Sequence, residues 1–460
     1  MTLIKSISGI RGTIGGKPGE GLNPIDTVKF SAAYGTWVKQ RKIKKKFKIV
    51  IGRDARISGQ MMNNLVTSTI TGLGIDVIDA GLATTPTVEL AVEEEKADGG
   101  IILTASHNPK EWNALKLLND KGEFISEAEG KKILDIANAE DFKFAGIDAL
   151  GKVYPHNYTD SHIEKIINLS LVDLEAIKNA EFKIAVDCVN SVGGIAVPRL
   201  LEKLGVMEII KINADPTGEF AHNPEPIPEN LTHISEKMAS SDIHAGFVVD
   251  PDVDRLAIIM ENGEMFGEEY TLVSVADYVL QHKSGNTVSN LSSTKALQDI
   301  TEKHGGKYYA SAVGEVNVVQ MMKDKKAIIG GEGNGGVIYP KLHYGRDALA
   351  GIALFLSHLA KSGMTCSQLK ATYPEYHITK KKIKLEPEIN VDEILDIIKD
   401  KYSKYPVNDT DGVKISFEEE WVHLRKSNTE PIIRIYAESR TMDNATSLAS
   451  KIMEEIKNTI

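Results

Sequence analysis

Short apolar runs alternate with longer amphipathic stretches along most of the chain. Apolar segments at 47–52, 75–81 and 99–105 are separated by stretches with helical spacing. Alternation of strand-like and helix-like segments is typical of a parallel sheet covered by helices. The pattern therefore predicts an α/β domain at the start of the chain.

The same alternation returns twice, and a different pattern follows. Strand-like runs at 182–187 and 244–250 belong to a second α/β block, and a third block ends in a long helix from Asp347 to about 361. Beyond Tyr373, three strand-like runs precede an amphipathic helix, which favours an α+β domain. We predict three consecutive mixed-sheet α/β domains and a smaller C-terminal α+β domain, at 1–154, 155–255, 256–372 and 373–460.

Composition narrows the class of protein. The 460 residues include 42% hydrophobic and 26% charged residues, as in a soluble globular protein. The 54 Lys and Arg against 64 Asp and Glu give a net charge of −10, which predicts neither nucleic acid nor an anionic membrane as partner. Two cysteines, Cys188 and Cys366, fit a reducing compartment, and no apolar run reaches the roughly 18 residues of a membrane span. We therefore expect a cytoplasmic protein.

An acidic loop follows the apolar run at 244–250. The segment VVDPDVDR places Asp250, Asp252 and Asp254 at alternating positions, with Arg255 next. Three carboxylates this close repel one another unless a cation lies among them, and oxygen ligands on a short loop favour Mg²⁺. A solvated acidic turn is the alternative, but the buried strand before it favours the metal site.

The stretch TASHNP follows another strand-like run. Ser106 at a strand end suits either a helix N-cap or a nucleophile, because α/β proteins bind ligands at the carboxyl ends of their strands. His107 has no Asp or Glu at triad spacing, so a Ser-His-Asp hydrolase has no support. Lys116, ten residues on, is a candidate to pair with phosphate, or to move a proton if its pKa is lowered.

Two further loops carry polar side chains suited to ligands. GGEGNGG at 330–336 offers Glu332 and Asn334 between glycines and lacks the ending of a P-loop, so it suits sugar hydroxyls or a plain turn. RKSNTEPIIR at 425–434 collects donors for a phosphate dianion, against the alternative of a polar hairpin. These donors are Arg425, Ser427, Asn428, Thr429 and Arg434.

Together these motifs resemble one family. TASHNP, DPDVDR, GEGNGG and RKSNTEP, in this order and over essentially the full chain, resemble the α-D-phosphohexomutase superfamily. The resemblance implies four domains around a central cleft and a phosphoryl group carried on Ser106, with His107 beside it. It also implies that a Mg²⁺ ion is bound by Asp250, Asp252, Asp254 and the phosphoserine.

The resemblance also implies a two-step reaction. Phosphoserine gives its phosphoryl group to a hexose monophosphate, and the bound 1,6-bisphosphate turns over and returns the other phosphate to the serine. A hexose 1,6-bisphosphate is then the activator, Lys116 and Arg11 the candidates for proton handling, and Arg255 a sugar or phosphate contact.

Departures from the family pattern bear on the substrate. The sugar loop lacks the Ser and His of many relatives, and Glu315 stands where a basic residue or histidine is common. An added carboxylate suits a cationic amino sugar, so we expect conversion of glucosamine 6-phosphate to glucosamine 1-phosphate. Glucose and mannose phosphates are the alternative substrates. The alternative functions are a serine-based metal-dependent sugar phosphatase and a non-catalytic sugar-phosphate binding module.

Overall fold

The computed structural model describes residues 1–6, 9–386, 389–426 and 432–458. The chain forms two compact units. The first comprises Met1–Thr271 and Asn334–Leu369, and the second comprises Leu272–Gly333 and Lys370–Ile460.

The first unit begins with a seven-stranded mixed sheet in the order β1-β2-β6-β5-β3-β4-β7. β3, β4, β5 and β7 run parallel, whereas β6 pairs antiparallel with β5 and β2. The elements in chain order are β1 (Leu3–Ser6), β2 (Gly9–Thr13), α1 (Pro24–Gln40), β3 (Lys48–Arg53), α2 (Gly59–Gly72), β4 (Asp76–Leu82), α3 (Thr85–Glu94), β5 (Gly100–Leu103), β6 (Trp112–Leu118), α4 (Glu127–Ala139) and β7 (Val153–Pro155).

A second sheet of the same unit has the order β11-β10-β8-β9. At one edge of this sheet, β10 and β11 pair antiparallel, and the acidic loop connects these two strands. The elements are α5 (Thr159–Ile167), α6 (Leu174–Asn179), β8 (Lys183–Asp187), α7 (Gly193–Leu204), β9 (Glu208–Ile212), α8 (Thr232–Ala239), β10 (Ala245–Val249) and β11 (Leu256–Met260). All five residues of β10 are buried, as its apolar sequence predicts.

The next segment passes from the first unit to the second and back. Its elements are α9 (Glu268–His282), β12 (Thr287–Asn290), α10 (Ala296–Lys303), β13 (Tyr308–Ser311), α11 (Glu315–Lys325), β14 (Ile329–Glu332), β15 (Gly336–Ile338), α12 (Ala348–Ser362) and α13 (Cys366–Lys370). In the second unit, β12 pairs in parallel with β13 and β14.

The C-terminal part of the second unit is an antiparallel sheet in the order β16-β20-β19-β18-β17. The elements are β16 (His377–Lys384), α14 (Val391–Lys401), β17 (Val407–Asn408), β18 (Val413–Ser416), β19 (Trp421–Lys426), β20 (Ile432–Ser439) and α15 (Met442–Lys457). Aliphatic residues of both helices and the sheet form one apolar core.

The predicted class, α/β domains followed by an α+β domain, is confirmed. The pattern did not predict β2 or β6 as strands. β2, with the sequence GIRGT, has one large apolar residue, Ile10, and β6 interrupts its apolar residues with Asn113 and Lys116, both buried. Within the described ranges, none of the helices has both the length and the apolar character that crossing a membrane requires.

Candidate active site

The three aspartates of the acidic loop converge. Asp250, Asp252 and Asp254 are fully buried, and one carboxylate oxygen of each lies within 4.8 Å of the others. Val253 between them has φ 62°, a left-handed conformation that is strained for a β-branched residue. Backbone strain of this kind persists where surrounding contacts fix it, and it often accompanies a functional site.

Asp250 joins the acidic loop to the serine. Its Oδ1 accepts hydrogen bonds from the backbone amides of Asp254 and Arg255, each at 3.1 Å. Its Oδ2 accepts from the hydroxyl of Ser106 at 2.7 Å. The first sheet and the second sheet thus meet at this carboxylate.

Asp252 and Asp254 share a buried ammonium group. Lys116 Nζ lies 2.7 Å from Oδ2 of Asp252 and 3.5 Å from Oδ2 of Asp254. In the part of the chain that the structure describes, Oδ1 of each aspartate is buried and has no hydrogen-bond partner. Unpartnered buried oxygens are rare, and carboxylate oxygens are the ligands of hard divalent cations. The donor set therefore fits such a cation.

Burial and neighbouring charges both shift the pKa values of these groups. Burial raises the pKa of Asp250 well above its usual range, and the charges of Asp254 and Asp252 raise it further. Burial also favours a raised pKa for Asp252, but the Lys116 ammonium outweighs it and the pKa is lowered. Burial by itself lowers the pKa of Lys116, yet Asp252 and Asp254 outweigh burial and raise it. The sequence-based prediction required a lowered pKa for Lys116 to move a proton, and the raised pKa corrects this condition, because two carboxylates lie beside the ammonium. Lys116 is therefore a protonated group that can donate a proton rather than accept one.

Ser106 lies in a sharply bent loop after β5. Its φ is 49°, and its amide donates to Thr104 Oγ1 at 2.9 Å. Its hydroxyl lies 3.3 Å from Nδ1 of His107. Burial, with the cationic Arg255 and Arg11, lowers the pKa of His107 to about 2, so its ring is neutral at physiological pH.

A buried arginine holds the serine loop. The side chain of Arg56 has no exposed surface, and its Nε donates to Asp54 Oδ2 at 2.9 Å. Its remaining donors bind carbonyl oxygens of the loop, at Ser106, Asn108, Pro109 and Trp112. One guanidinium therefore donates hydrogen bonds to four carbonyl groups. A buried carbonyl group without a hydrogen-bond partner would lower the stability of the fold.

Arg11 reaches the same loop from β2. Its Nη1 donates to Oδ1 of Asn108 at 2.9 Å. Burial lowers the pKa of Arg11, while the charge of Asp252 acts in the opposite direction. The structure therefore brings Arg11, Ser106, His107, Lys116 and the three aspartates together within the first unit.

Two of the residues predicted to bind sugar lie in the first unit. Arg255 is the last residue of the acidic loop, and its Nη1 lies 3.8 Å from Oε1 of Glu225. Asn334 begins the second segment of this unit, and its neighbour Gly335 accepts a hydrogen bond from the Leu256 amide at 3.1 Å. The segment that carries Asn334 is thereby attached to the strand that follows Arg255.

The other two predicted sugar-binding residues lie in the second unit. Glu332 ends β14, and its Oε1 accepts from Nδ2 of Asn290 at 3.0 Å and from the Gly314 amide at 3.2 Å. Glu315 is the first residue of α11, directly after Gly314. Both glutamates are more than nine-tenths buried. The end of β14 and the start of α11 thus adjoin, and each carries one of the two carboxylates.

The predicted phosphate-binding loop is described only in part. Arg425 and Arg434 face each other across β19 and β20, and Arg425 Nε lies 2.8 Å from Oδ2 of Asp411. Ser427, Asn428 and Thr429 lie outside the described residues.

Three residues at this site were not predicted from the sequence: Arg56, Thr85 and Arg346. Thr85 contacts Asp252, and Arg346 contacts Asp254. Arg56 and Thr85 follow β3 and β4 directly, so the rule that ligands bind beyond the carboxyl ends of parallel strands could have indicated them. Arg346 has no such signal, because it stands in a loop far along the chain.

Four family profiles match the chain in order. They describe the alpha/beta/alpha domains I, II and III of phosphoglucomutase/phosphomannomutase, at residues 3–144, 160–263 and 267–376, and its C-terminal domain at 380–455. The chain belongs to the phosphoglucomutase/phosphomannomutase family. This membership confirms the resemblance to the α-D-phosphohexomutase superfamily and the prediction of an intramolecular phosphotransferase.

Named members of the family are similar over nearly their whole length. A phosphoglucomutase/phosphomannomutase of Thermococcus kodakarensis is 35% identical over 453 residues, which cover 96% of this chain and 98% of that protein. A phosphoglucosamine/phosphogalactosamine mutase of Sulfurisphaera tokodaii is 32% identical over 457 residues, or 98% of each chain.

Solved structures of the family share the fold. A phosphoglucomutase/phosphomannomutase family protein of Burkholderia thailandensis superimposes with a TM-score of 0.86 at 24% identity, covering 99% of this chain and 98% of that one.

Proposed function

We propose that this enzyme interconverts glucosamine 6-phosphate and glucosamine 1-phosphate through a phosphoserine at position 106. The observation that carries the proposal is the contact between the Ser106 hydroxyl and Asp250, within a cluster of three buried aspartates. A hydroxyl held beside a site for a divalent cation suits a phosphoryl carrier, because phosphoryl transfer depends on positioning and charge neutralisation.

In the first step, the bond from phosphorus to Ser106 Oγ breaks as a bond from phosphorus to a sugar oxygen forms. The sugar hydroxyl releases its proton to water and Ser106 Oγ takes one up, so the step neither gains nor loses a proton overall. Lys116, held protonated by two aspartates, is suited to donate the proton that Oγ receives. After the bisphosphate turns over, the second step is the reverse transfer from the other phosphate, and a hexose 1,6-bisphosphate therefore restores lost phosphoserine.

Asp250, Asp252 and Asp254, with an oxygen of the phosphorylated Ser106, are the residues that would hold Mg²⁺. A cation bound there neutralises charge on the phosphoryl oxygens during transfer. The unpartnered Oδ1 atoms of Asp252 and Asp254 support this assignment in the described chain. Arg56 and Arg11 fix the loop that carries the serine, so that the reacting oxygen keeps one position.

The carboxylates of Glu315 and Glu332 support an amino sugar as substrate. Both are buried and belong to adjoining loops, where a cationic 2-amino group gains a charge-assisted hydrogen bond. We assign Asn334 and Arg255 to the sugar, and Arg425, Ser427, Asn428, Thr429 and Arg434 to its non-reacting phosphate. Two buried free thiols, Cys188 and Cys366, suit a reaction in the cytoplasm.

Glucose or mannose phosphates are the second candidate substrates. The relative from Thermococcus kodakarensis carries the name phosphoglucomutase/phosphomannomutase, which favours this alternative. Neutral hydroxyls can also bond to Glu332.

The test is a side-by-side measurement of kcat/KM for glucosamine, N-acetylglucosamine, glucose and mannose phosphates with Mg²⁺ and the matching bisphosphate. We expect the highest value for glucosamine phosphate, and a higher value for glucose or mannose phosphate would select the second candidate. Steady release of free phosphate would instead indicate a phosphatase, and a protein whose intact mass never shows a phosphoryl group would contradict the phosphoserine.

A further inference from the structure

Besides Lys116, two side chains outside the acidic loop bind the corresponding oxygens of two aspartates. Thr85 Oγ1 donates to Oδ2 of Asp252 at 2.6 Å, and Arg346 Nη2 donates to Oδ2 of Asp254 at 2.8 Å. Thr85 is 1% exposed and Arg346 is 8% exposed. Each carboxylate thus accepts these hydrogen bonds through Oδ2, while its Oδ1 has no hydrogen-bond partner among the described residues. The cationic Arg255 lies near Oδ1 of Asp254, with its Nε 4.0 Å away.

Backbone hydrogen bonds fix the same two segments to the loop. The amide of Thr85, at the start of α3, donates to the carbonyl of Asp252 at 2.9 Å. The amide of Ala348, at the start of α12, donates to the carbonyl of Val253 at 3.2 Å. The side-chain contacts of Thr85 and Arg346 are therefore parts of two rigid attachments.

A buried array ties these attachments together. Both His162 and His343 bond to Oδ2 of Asp347, at 2.8 and 3.2 Å, and His343 Nδ1 lies 3.2 Å from Oε2 of Glu89. Glu89 belongs to α3, which carries Thr85, and Asp347 is the neighbour of Arg346 and the N-cap of α12. The array thus sets the positions of both attachments at once.

The glycine-rich segment makes room for the arginine. A Cβ at Gly336 would stand 2.3 Å from Cδ of Arg346, and one at Gly335 would stand 2.3 Å from the carbonyl oxygen of Leu256. Part of the motif GGEGNGG therefore serves the acidic loop.

We propose that Thr85 and Arg346 are positioning residues of the cation site, which turn Asp252 and Asp254 so that Oδ1 of each faces the ion. This inference rests on the proposed function, because it requires a divalent cation among the aspartates. Without Thr85 or the fork of Arg346, each carboxylate rotates more freely, and binding the ion must then include the cost of ordering it.

The test measures the affinity of the full-length protein for Mn²⁺, by the electron paramagnetic resonance signal of the free ion. Thr85→Val keeps the shape and removes the hydroxyl, whereas Thr85→Ser keeps the hydroxyl. Arg346→Lys keeps the charge and changes the donor geometry. Thr69→Val serves as the control, because it removes a buried hydroxyl of α2 that bonds to the carbonyl of Leu65 in its own helix.

We expect Thr85→Val and Arg346→Lys to bind Mn²⁺ about 10-fold or more weakly, as is usual when a partner of a metal ligand is removed. Thr85→Ser and Thr69→Val should bind like the unmodified protein. The Mg²⁺ concentration for half-maximal activity should rise in the first two variants, with the KM for sugar phosphate unchanged.

The outcomes separate the two proposals. If the unmodified protein does not bind Mn²⁺, both the metal site and this inference are wrong. If it binds Mn²⁺ and Thr85→Val binds equally tightly, only the inference is overturned. If circular dichroism shows that Thr85→Val does not fold, the Mn²⁺ affinity of Arg346→Lys is used instead. An affinity equal to that of the unmodified protein would then overturn the inference.

Discussion

The hydroxyl of Ser106 donates a 2.7 Å hydrogen bond to Oδ2 of Asp250, although 144 positions separate the two residues. The bond joins the loop after β5 to the loop after β10. Because a phosphorylated serine has no such proton to donate, this contact belongs to the unphosphorylated enzyme. It places the oxygen that we propose to carry phosphate directly at the acidic cluster.

Replacing Ser106 with Ala should nearly abolish mutase activity. Removing a covalent nucleophile costs about a thousandfold or more in kcat/KM. Ser31→Ala, which removes a buried hydroxyl that bonds to the carbonyl of Thr27 within α1, should leave kcat/KM unchanged. A coupled assay with bisphosphate present measures both variants, and a loss of only severalfold for Ser106→Ala would contradict the phosphoserine route.

Replacing Arg56 with Met should destabilise the protein and displace the serine loop. The change leaves Asp54 buried without its ion-pair partner, for which the loss of unfolding free energy is about 3 kcal/mol or more. Arg56→Lys should recover part of the stability but less of kcat, since an ammonium cannot bind four carbonyls in that geometry.

Urea denaturation and steady-state kinetics measure the two effects of Arg56. Arg53→Lys is the control, because Arg53 is the last residue of β3, the strand that precedes Arg56, and is half-buried. An Arg56→Lys protein with the stability and kcat of the Arg53→Lys protein would show that the fork is not needed.

Replacing Glu315 with Gln should change the choice of substrate. If Glu315 binds a cationic amino group, the loss of one charge-assisted hydrogen bond lowers kcat/KM for glucosamine 6-phosphate by about 10-fold. The value for glucose 6-phosphate should change little. Glu302→Gln, at an exposed position of α10, should alter neither, and equal effects of Glu315→Gln on both sugars would argue against recognition of the amine.

His343 should make the stability of the protein depend on alkaline pH. Burial by itself lowers the pKa of His343, but Asp347 and Glu89 outweigh burial and raise it from 6.5 to about 10. Because the folded state binds this proton more tightly than the unfolded state, protonated His343 stabilises the fold. The stabilisation is complete below pH 6.5 and is lost as the pH rises toward 10.

Melting temperatures across this pH range provide the measurement for His343. In His343→Gln the pH-dependent contribution is absent, so the difference in Tm between the unmodified protein and the variant should shrink with rising pH. A difference that stays constant would show that His343 does not gain its proton on folding.

Local sequence patterns were enough to predict the fold class and the cluster of aspartates in the acidic loop. Apolar runs such as 244–250 are buried strands because their side chains have no other favourable environment. Asp250, Asp252 and Asp254 are close in sequence, so their clustering could be predicted from spacing alone, and the structure confirms that they lie together in a buried group that could hold a cation.

Only the tertiary structure determined which distant groups complete the site. β6 pairs antiparallel with β2 and β5, and this pairing buries Lys116 against Asp252 and Asp254. The four carbonyls bound by Arg56 become partners only after their loop has folded around it. Such contacts join residues far apart along the chain, and the physical reason that sequence does not reveal them is that their geometry is set by the packing of whole sheets and helices.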